Sequence, residues 1–341
     1  MDKTKLSKSY NILIRLGIVL LTLYFIYDQV FYRKDLATII DFIPSLSKSN
    51  RFFINLGFVV LLFPINQILE AVKWKYLISK LENISVWTAT KAVLTGISVS
   101  MFMPNRVGDY LGRVFVLKTA NRIQAVLVTI IGSISQLLTT IIYGSLAVLF
   151  FFPWYWDMDV QLNVWIYSGL LLGTIVMIFI SVFAYLNFAS FSDIIKRISG
   201  RFYERIRKYT EVFSLYDSKN LLLVLLISGL RYIVFSFQFY LLLKAFQVPV
   251  NYYAAIILIG VIYLLMTIIP TIALTELGVR GSVSLYVFAL YLEAFGLWNE
   301  QTSLGVLSAT SLLWLINLAL PALLGVIFIY SLRFFRRYNG N

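Results

Sequence analysis

MFMPNRVGDYLGRVFVL, residues Met101 to Leu117, interrupts a chain that is otherwise strongly apolar. The stretch contains one proline, two glycines, two arginines and an aspartate among hydrophobic side chains. Of the 341 residues, 60% are hydrophobic and only 13% are charged, and the mean hydropathy is +0.83. A soluble globule could not cover that much apolar surface. The chain is therefore predicted to be an integral membrane protein, in which a polar interruption requires a reason.

The runs on either side of this interruption are too short to cross a bilayer. As helices, Ala92 to Met103 would extend only about 18 Å and Asn105 to Lys118 about 21 Å, against roughly 30 Å for the hydrocarbon core. The pair is predicted to form a re-entrant helical hairpin, which enters and leaves on the same side of the membrane. A second interrupted pair, Tyr253 to Ile269 and Ser282 to Ala294, repeats this plan, although its first arm is long enough to leave a full crossing open.

Six other apolar runs each exceed the roughly 20 residues that a spanning helix requires. They are Ile12 to Tyr32, Phe52 to Val72, Ala125 to Phe152, Val164 to Leu186, Leu221 to Leu243 and Leu304 to Leu332. The predicted fold is therefore all-α, with about six full spans and two re-entrant hairpins. The order span, span, hairpin, span occurs twice, and three crossings per half predict an inverted repeat. Interrupted segments at corresponding positions of two halves point to a transport site near the midplane.

The distribution of lysine and arginine favours this topology. With both hairpins re-entrant, 22 of the 29 positive residues lie on the cytoplasmic side and six lie outside, as the positive-inside bias requires. A full crossing by Ala92 to Met103 would instead move the seven positive residues of 187–219 outside. The expected location is the bacterial cytoplasmic membrane, with both termini cytoplasmic.

The predicted organisation is one transmembrane domain over residues 1–335, with halves at 10–152 and 163–335 and an amphipathic helix at 191–216. This helix would lie on the cytoplasmic leaflet, although a soluble linker helix remains an alternative. The formal net charge of +13 favours an anionic membrane surface as a partner. Nucleic acid is not expected, because the positive residues lie between apolar runs. Because the sequence contains no cysteine and no histidine, disulfides are excluded, and no metal site or cofactor is expected.

Five of the six predicted binding residues lie at the two interruptions, and Arg231 lies within the predicted span Leu221 to Leu243. Pro104 and Pro270 would end helices, and Gly108 and Gly278 would allow positive φ and close approach at the breaks. The helix ends that then point inward would suit an anionic group. The expected substrate-binding residues are Arg106, Asp109, Arg113, Arg231, Glu276 and Arg280.

These ionised groups require partners, because a charge at the bilayer centre costs about 2.5 to 3.5 kcal/mol on insertion scales. The planar guanidinium of arginine suits bidentate phosphate binding. Alternatively, Asp109 neutralises an arginine and Glu276 pairs with Arg280, which would only hold the hairpins in place. Arg231 either lines a cavity or packs onto a carboxylate such as Asp109 or Glu276.

A further polar group lies near the end of the second predicted span. Glu70 is interpreted mainly as an interfacial partner of Lys73 or Lys75, with Trp74 as a membrane anchor.

Three blocks of the sequence resemble a known family. MPNRVGDYLGR (Met103 to Arg113), PTIALTELGVRGS (Pro270 to Ser282) and EAVKWKYLI (Glu70 to Ile78) are similar to blocks of the lysylphosphatidylglycerol synthase transmembrane region family, the flippase-like membrane domain of multiple peptide resistance factors. Family members usually have Gly-Glu where this chain has Gly108-Asp109. They commonly have an acid after the arginine of the second block, whereas here Glu276 precedes Arg280.

The resemblance implies movement of an anionic or aminoacylated phospholipid, or of a polyprenyl-phosphate-linked lipid, across the membrane. It does not imply synthesis, because the aminoacyl-transferase domain is expected to be absent, so the chain is not expected to be an enzyme. A homodimer is possible by the same resemblance. Two alternatives remain open: a non-transporting subunit that anchors or regulates a cell-envelope enzyme, and an intramembrane enzyme acting on lipid phosphates.

Overall fold

The computed structural model describes residues 13–24, 50–101, 107–155, 160–188, 211–269 and 273–332, together with single positions between these ranges. Within these residues the regular secondary structure is entirely helical. The helices are α1 (Leu13–Tyr24), α2 (Asn50–Ile78), α3 (Val86–Ser100), α4 (Val107–Val114), α5 (Arg122–Tyr155), α6 (Val160–Leu186), α7 (Ser218–Ala245), α8 (Tyr252–Ile268), α9 (Ala273–Glu293), α10 (Glu300–Trp314) and α11 (Leu320–Phe328). A π-helical turn, Leu315–Ala319, joins α10 to α11.

Five of the described helical segments are long and apolar enough to cross a membrane. They are α2, α5, α6, α7 and the combined α10–α11 segment, and they correspond to five of the six predicted spans. The remaining prediction, Ile12 to Tyr32, is described mainly at α1, and most of its second half lies outside the described residues. The chain is a multi-pass, all-α membrane protein.

Polar residues define where several helices begin. Ser85, Asp217, Asn251 and Asn299 each lie one residue before a helix, and each side-chain oxygen accepts a hydrogen bond from a backbone N–H in the first turn. Such N-caps satisfy donors that have no partner within the helix. The ends of α3, α7, α8 and α10 are therefore set locally, by single residues at the ends of apolar runs.

The arms of the first interrupted pair are α3 and α4, which extend about 23 Å and 12 Å at 1.5 Å per residue. The arms of the second pair are α8 and α9, at about 26 Å and 32 Å. Only the first pair is therefore too short in both arms to cross the hydrocarbon core. The second arm of the second pair begins at Ala273, well before the predicted Ser282.

The two glycines predicted at the breaks lie inside helices. Gly108 lies in the first turn of α4, and Gly278 lies within α9. Neither has a positive φ. A Cβ on Gly108 would overlap the carbonyl oxygen of Val99 on α3. Close packing of the two arms, rather than an unusual backbone angle, explains this glycine. The predicted breaks at Pro104 and Pro270 lie outside the described residues.

Contacts between the two halves follow a reciprocal pattern. The second spanning helices, α2 and α7, pack extensively against each other. The first arm of the first pair, α3, packs on α11, the last helix of the second half. The first arm of the second pair, α8, packs on α5, the last helix of the first half. The first arm of each interrupted pair thus packs on the last helix of the opposite half.

Glycines allow both of these reciprocal contacts. A Cβ on Gly325 of α11 would overlap the carbonyl oxygen of Leu94 on α3. On the other side, a Cβ on Gly260 of α8 would lie 2.6 Å from the Cβ of Ala147 on α5. Small residues let membrane helices approach closely where there is no hydrophobic driving force between them. By contrast, α6 exposes most of its apolar side chains.

Glu82 holds the loop between α4 and α5, outside the spanning helices. Its carboxylate accepts hydrogen bonds from the backbone N–H groups of Lys118, Thr119 and Ala120 and from the Thr119 hydroxyl. Burial by itself would raise the pKa of Glu82, but these donors outweigh it and hold the pKa below the usual value. The loop that follows α4 is thereby tied to the end of α2.

Candidate functional site

Glu70 of α2 lies at the centre of a buried ion network. Its Oε1 is 2.7 Å from Nη1 of Arg113 on α4, and its Oε2 is 2.8 Å from both Nζ of Lys73 and Nη1 of Arg231. The side chains of Glu70, Lys73 and Arg113 are at most 7% exposed. A single carboxylate therefore joins α2, the second arm of the first pair and the partner helix α7.

Arg113 has a second carboxylate partner on its own helix. Asp109 lies one turn earlier, and its two oxygens accept from Nε and Nη2 of Arg113 at 2.8 and 2.6 Å. This bidentate geometry gives a strong, oriented pair. It needs close approach of the arms, because a Cβ on Gly96 of α3 would overlap Oδ1 of Asp109. Both groups are therefore positioned by the α3–α4 contact.

Arg231 of α7 links the network to a row of side-chain amides. Its Nε donates to Oδ1 of Asn66 at 2.9 Å, and its Nη1 donates to Oε1 of Gln136 at 3.3 Å. Asn66 in turn donates to Oδ1 of Asn317 at 3.1 Å. Asn317 lies in the π-helical turn between α10 and α11, and such turns are frequent at functional sites.

A cavity of about 510 Å³ lies beside this row, within the roughly 300 to 1,000 Å³ typical of ligand sites. Both halves of the chain line it, with side chains from α2, α5, α7, α8, α9 and α10. Its charged lining residues are Arg231, Glu276 and Arg280. Leu137, Thr267 and Ile269 also line it and are exposed, so the cavity reaches the surface of the molecule.

Glu276 and Arg280 form an ion pair on α9 at the cavity wall, with Oε1 and Nη2 2.8 Å apart. Their spacing of four residues places them on one helical face. Three polar atoms of the lining have no hydrogen-bond partner in the described part of the chain: Nε of Arg280, Nε1 of Trp314 and the hydroxyl of Tyr263. Trp314 is 3% exposed and Tyr263 is 7% exposed.

The structure brings together most of the sequence-predicted site residues, but in two groups. Arg231, Glu276 and Arg280 line the cavity. Asp109 and Arg113 lie outside its lining and connect to it through Glu70. The alternative pairings are both present: Asp109 pairs with an arginine, Arg113, and Glu276 pairs with Arg280. Arg231 lines the cavity and also pairs with a carboxylate. That carboxylate is Glu70, rather than Asp109 or Glu276. Arg106 lies outside the described residues.

Sequence reasoning missed several members of the site. Glu70 does pair with Lys73, but it also binds two arginines, and Trp74 is buried and donates to Thr129 instead of anchoring at an interface. Gln136, Asn317, Tyr263 and Trp314 were not predicted. Gln136 and Asn317 gave a weak signal as single amides within apolar runs. The two aromatic residues gave none, because aromatic side chains are common throughout this chain.

Residues 12–320 match the family described as lysylphosphatidylglycerol synthase TM region. The chain belongs to this family. The match confirms the resemblance stated from the three sequence blocks, and it associates this lysylphosphatidylglycerol synthase TM region protein with lipid handling in a membrane. No curated protein and no solved structure matches the chain.

Proposed function

We propose that this protein moves a lipid with a phosphate-bearing headgroup across the bacterial cytoplasmic membrane. The headgroup occupies the cavity between the halves, while its acyl chains stay in the surrounding bilayer. The observation that carries the proposal is a cavity lined by Arg231 and Arg280 that reaches the surface and is built from both halves. Because the lipid crosses the membrane without any covalent bond being made or broken, the proposed activity is transport and not catalysis.

The reciprocal packing of α3 on α11 and of α8 on α5 supports an inverted repeat. In that arrangement the two interrupted pairs are re-entrant hairpins that enter from opposite faces, and both termini are cytoplasmic. The ion pairs Asp109–Arg113 and Glu276–Arg280 occupy the second arm of each hairpin. These carboxylates hold the arginines when the cavity contains no lipid, and the lipid phosphate competes for Arg280 when it enters.

The hairpin topology is testable directly, because the chain contains no cysteine. Exposed single-cysteine sites Lys80→Cys and Lys118→Cys flank the first hairpin, and Lys244→Cys and Gln301→Cys flank the second. With a membrane-impermeant maleimide, we expect the first pair to react only from the cytoplasmic face and the second only from the opposite face. If the two flanks of either hairpin react from opposite faces, that hairpin crosses the membrane.

Lipid movement should depend on Arg280. In proteoliposomes with a fluorescent phosphatidylglycerol, we expect Arg280→Gln to slow movement at least about tenfold, because it removes a charged hydrogen-bond donor from the cavity. Arg280→Lys should keep part of the rate, since it retains the charge but loses the bidentate fork. Chemical quenching of the fluorescent lipid in the outer leaflet measures the rate of movement.

The matched control is Arg207→Gln, because the side chain of Arg207 is 56% exposed and far in sequence from the cavity lining. It should leave the rate unchanged. Equal rates of lipid movement for Arg280→Gln and the unmodified protein would contradict the proposal that the headgroup passes through this cavity. If the unmodified protein moved no lipid and co-purified with an envelope enzyme, the chain would be an anchoring subunit instead.

A further inference from the structure

Residues that line the cavity carry buried hydrogen-bond donors that have no partner in the described part of the chain. Nε1 of Trp314, the hydroxyl of Tyr263 and Nε of Arg280 are buried without a partner in the described part of the chain. An indole N–H and a guanidinium can only donate, and a buried polar group without a partner costs free energy. The groups at this wall therefore match a ligand that supplies acceptors rather than donors.

The charges around the cavity favour the same kind of ligand. The cavity and its ion network contain four cations and three carboxylates among the described residues: Lys73, Arg113, Arg231 and Arg280 against Glu70, Asp109 and Glu276. A buried excess of one positive charge is unfavourable unless an anion compensates it. A group with one negative charge and several acceptor oxygens, such as a phosphodiester, meets both requirements.

We propose that Arg231, Arg280, Trp314 and Tyr263 form a headgroup subsite for a singly charged phosphodiester, and that the subsite selects net-anionic lipids over lysylated, net-cationic ones. This inference rests on the proposed function and specifies its substrate class. The two ammonium groups of a lysylated headgroup bring donors and positive charge to a site that already has an excess of both. Arg231 and Arg280 provide the charge, and Trp314 and Tyr263 provide neutral donors that orient the phosphate oxygens.

Equilibrium binding to the purified full chain in detergent micelles tests the subsite separately from transport. The probes are dioctanoyl forms of phosphatidylglycerol, lysyl-phosphatidylglycerol and diacylglycerol, and the acyl-free headgroup glycerophosphoglycerol. We expect phosphatidylglycerol to bind at least about tenfold more tightly than the lysylated form, because Arg231 and Arg280 repel the added ammonium groups. Diacylglycerol, without a phosphate, should bind weakly. The acyl-free headgroup should compete only poorly, which distinguishes a lipid site from a site for free phosphate esters.

Tyr263→Phe removes one donor with little change of shape, and Trp314→Phe removes one donor and also makes the side chain smaller; each should weaken phosphatidylglycerol binding about three- to tenfold. Neither should change diacylglycerol binding. The matched controls are Trp165→Phe and Tyr286→Phe, because these side chains are 80% and 59% exposed. Two independent variants keep the test decisive if one of them unfolds.

Tighter binding of the lysylated lipid, or equal effects of the buried and control variants, would overturn the subsite. Selective binding without lipid movement in proteoliposomes would support the subsite and contradict the proposed transport. Movement without selectivity between the two lipids would support transport and contradict the subsite.

Discussion

Glu70→Gln should be among the most destabilising single substitutions in this protein. The change removes the one carboxylate that contacts Lys73, Arg113 and Arg231, all within 2.8 Å. Removing one partner of a buried ion pair typically costs about 3–5 kcal/mol, because the other charge is left uncompensated. Arg113 keeps Asp109 as a partner, whereas Lys73 has no second carboxylate partner among the described residues. We expect a clearly lower midpoint of thermal unfolding in detergent micelles.

The control for this substitution is Glu211→Gln. Glu211 pairs with Arg207 in an exposed ion pair, with 54% and 56% of the side chains accessible, and such pairs contribute about 0–1 kcal/mol. The double variant Glu70→Gln/Lys73→Met should be more stable than Glu70→Gln, since it also removes the stranded ammonium. An unchanged midpoint for Glu70→Gln would mean that the network does not stabilise the fold.

Gly325→Ala should also destabilise the protein, although alanine is the better helix former. The new methyl group would overlap the Leu94 carbonyl oxygen and the Ser98 hydroxyl, which itself donates to the carbonyl of Ala322. Backbone atoms cannot move aside cheaply, so α3 and α11 must separate. Overpacking of this kind costs about 1–3 kcal/mol, more than the roughly 1 kcal/mol that alanine gains over glycine in a helix. Thermal unfolding in micelles measures the difference.

Gly169→Ala and Gly173→Ala on α6 are matched controls, because a Cβ at either position meets no atom within 4 Å. They should be neutral or stabilise by up to about 1 kcal/mol. Gly260→Ala, at the reciprocal contact between α8 and α5, should behave like Gly325→Ala. If Gly325→Ala were as stable as the α6 variants, the close contact between α3 and α11 would be wrong.

Local patterns in the sequence are sufficient for part of this architecture. Apolar runs longer than a bilayer is thick indicate spanning helices in any packing arrangement, because the requirement comes from the solvent. A spacing of four residues places Asp109 beside Arg113 and Glu276 beside Arg280 in any α-helix. The start of α9 could not be predicted in the same way, because its first turns carry Glu276 and Arg280 and resemble a polar loop.

The sequence by itself determined that this chain is a helical membrane protein with two interrupted segments and acid–arginine pairs beside them. Only the tertiary structure decided that Glu70 is the carboxylate for Arg231, and that Trp314 and Tyr263, whose donors have no partner in the described part of the chain, line the same cavity. The physical reason is that helix rotation and crossing are set by contacts between distant segments. Single glycines such as Gly96 and Gly325 permit those contacts, and no local periodicity encodes which helix will approach them.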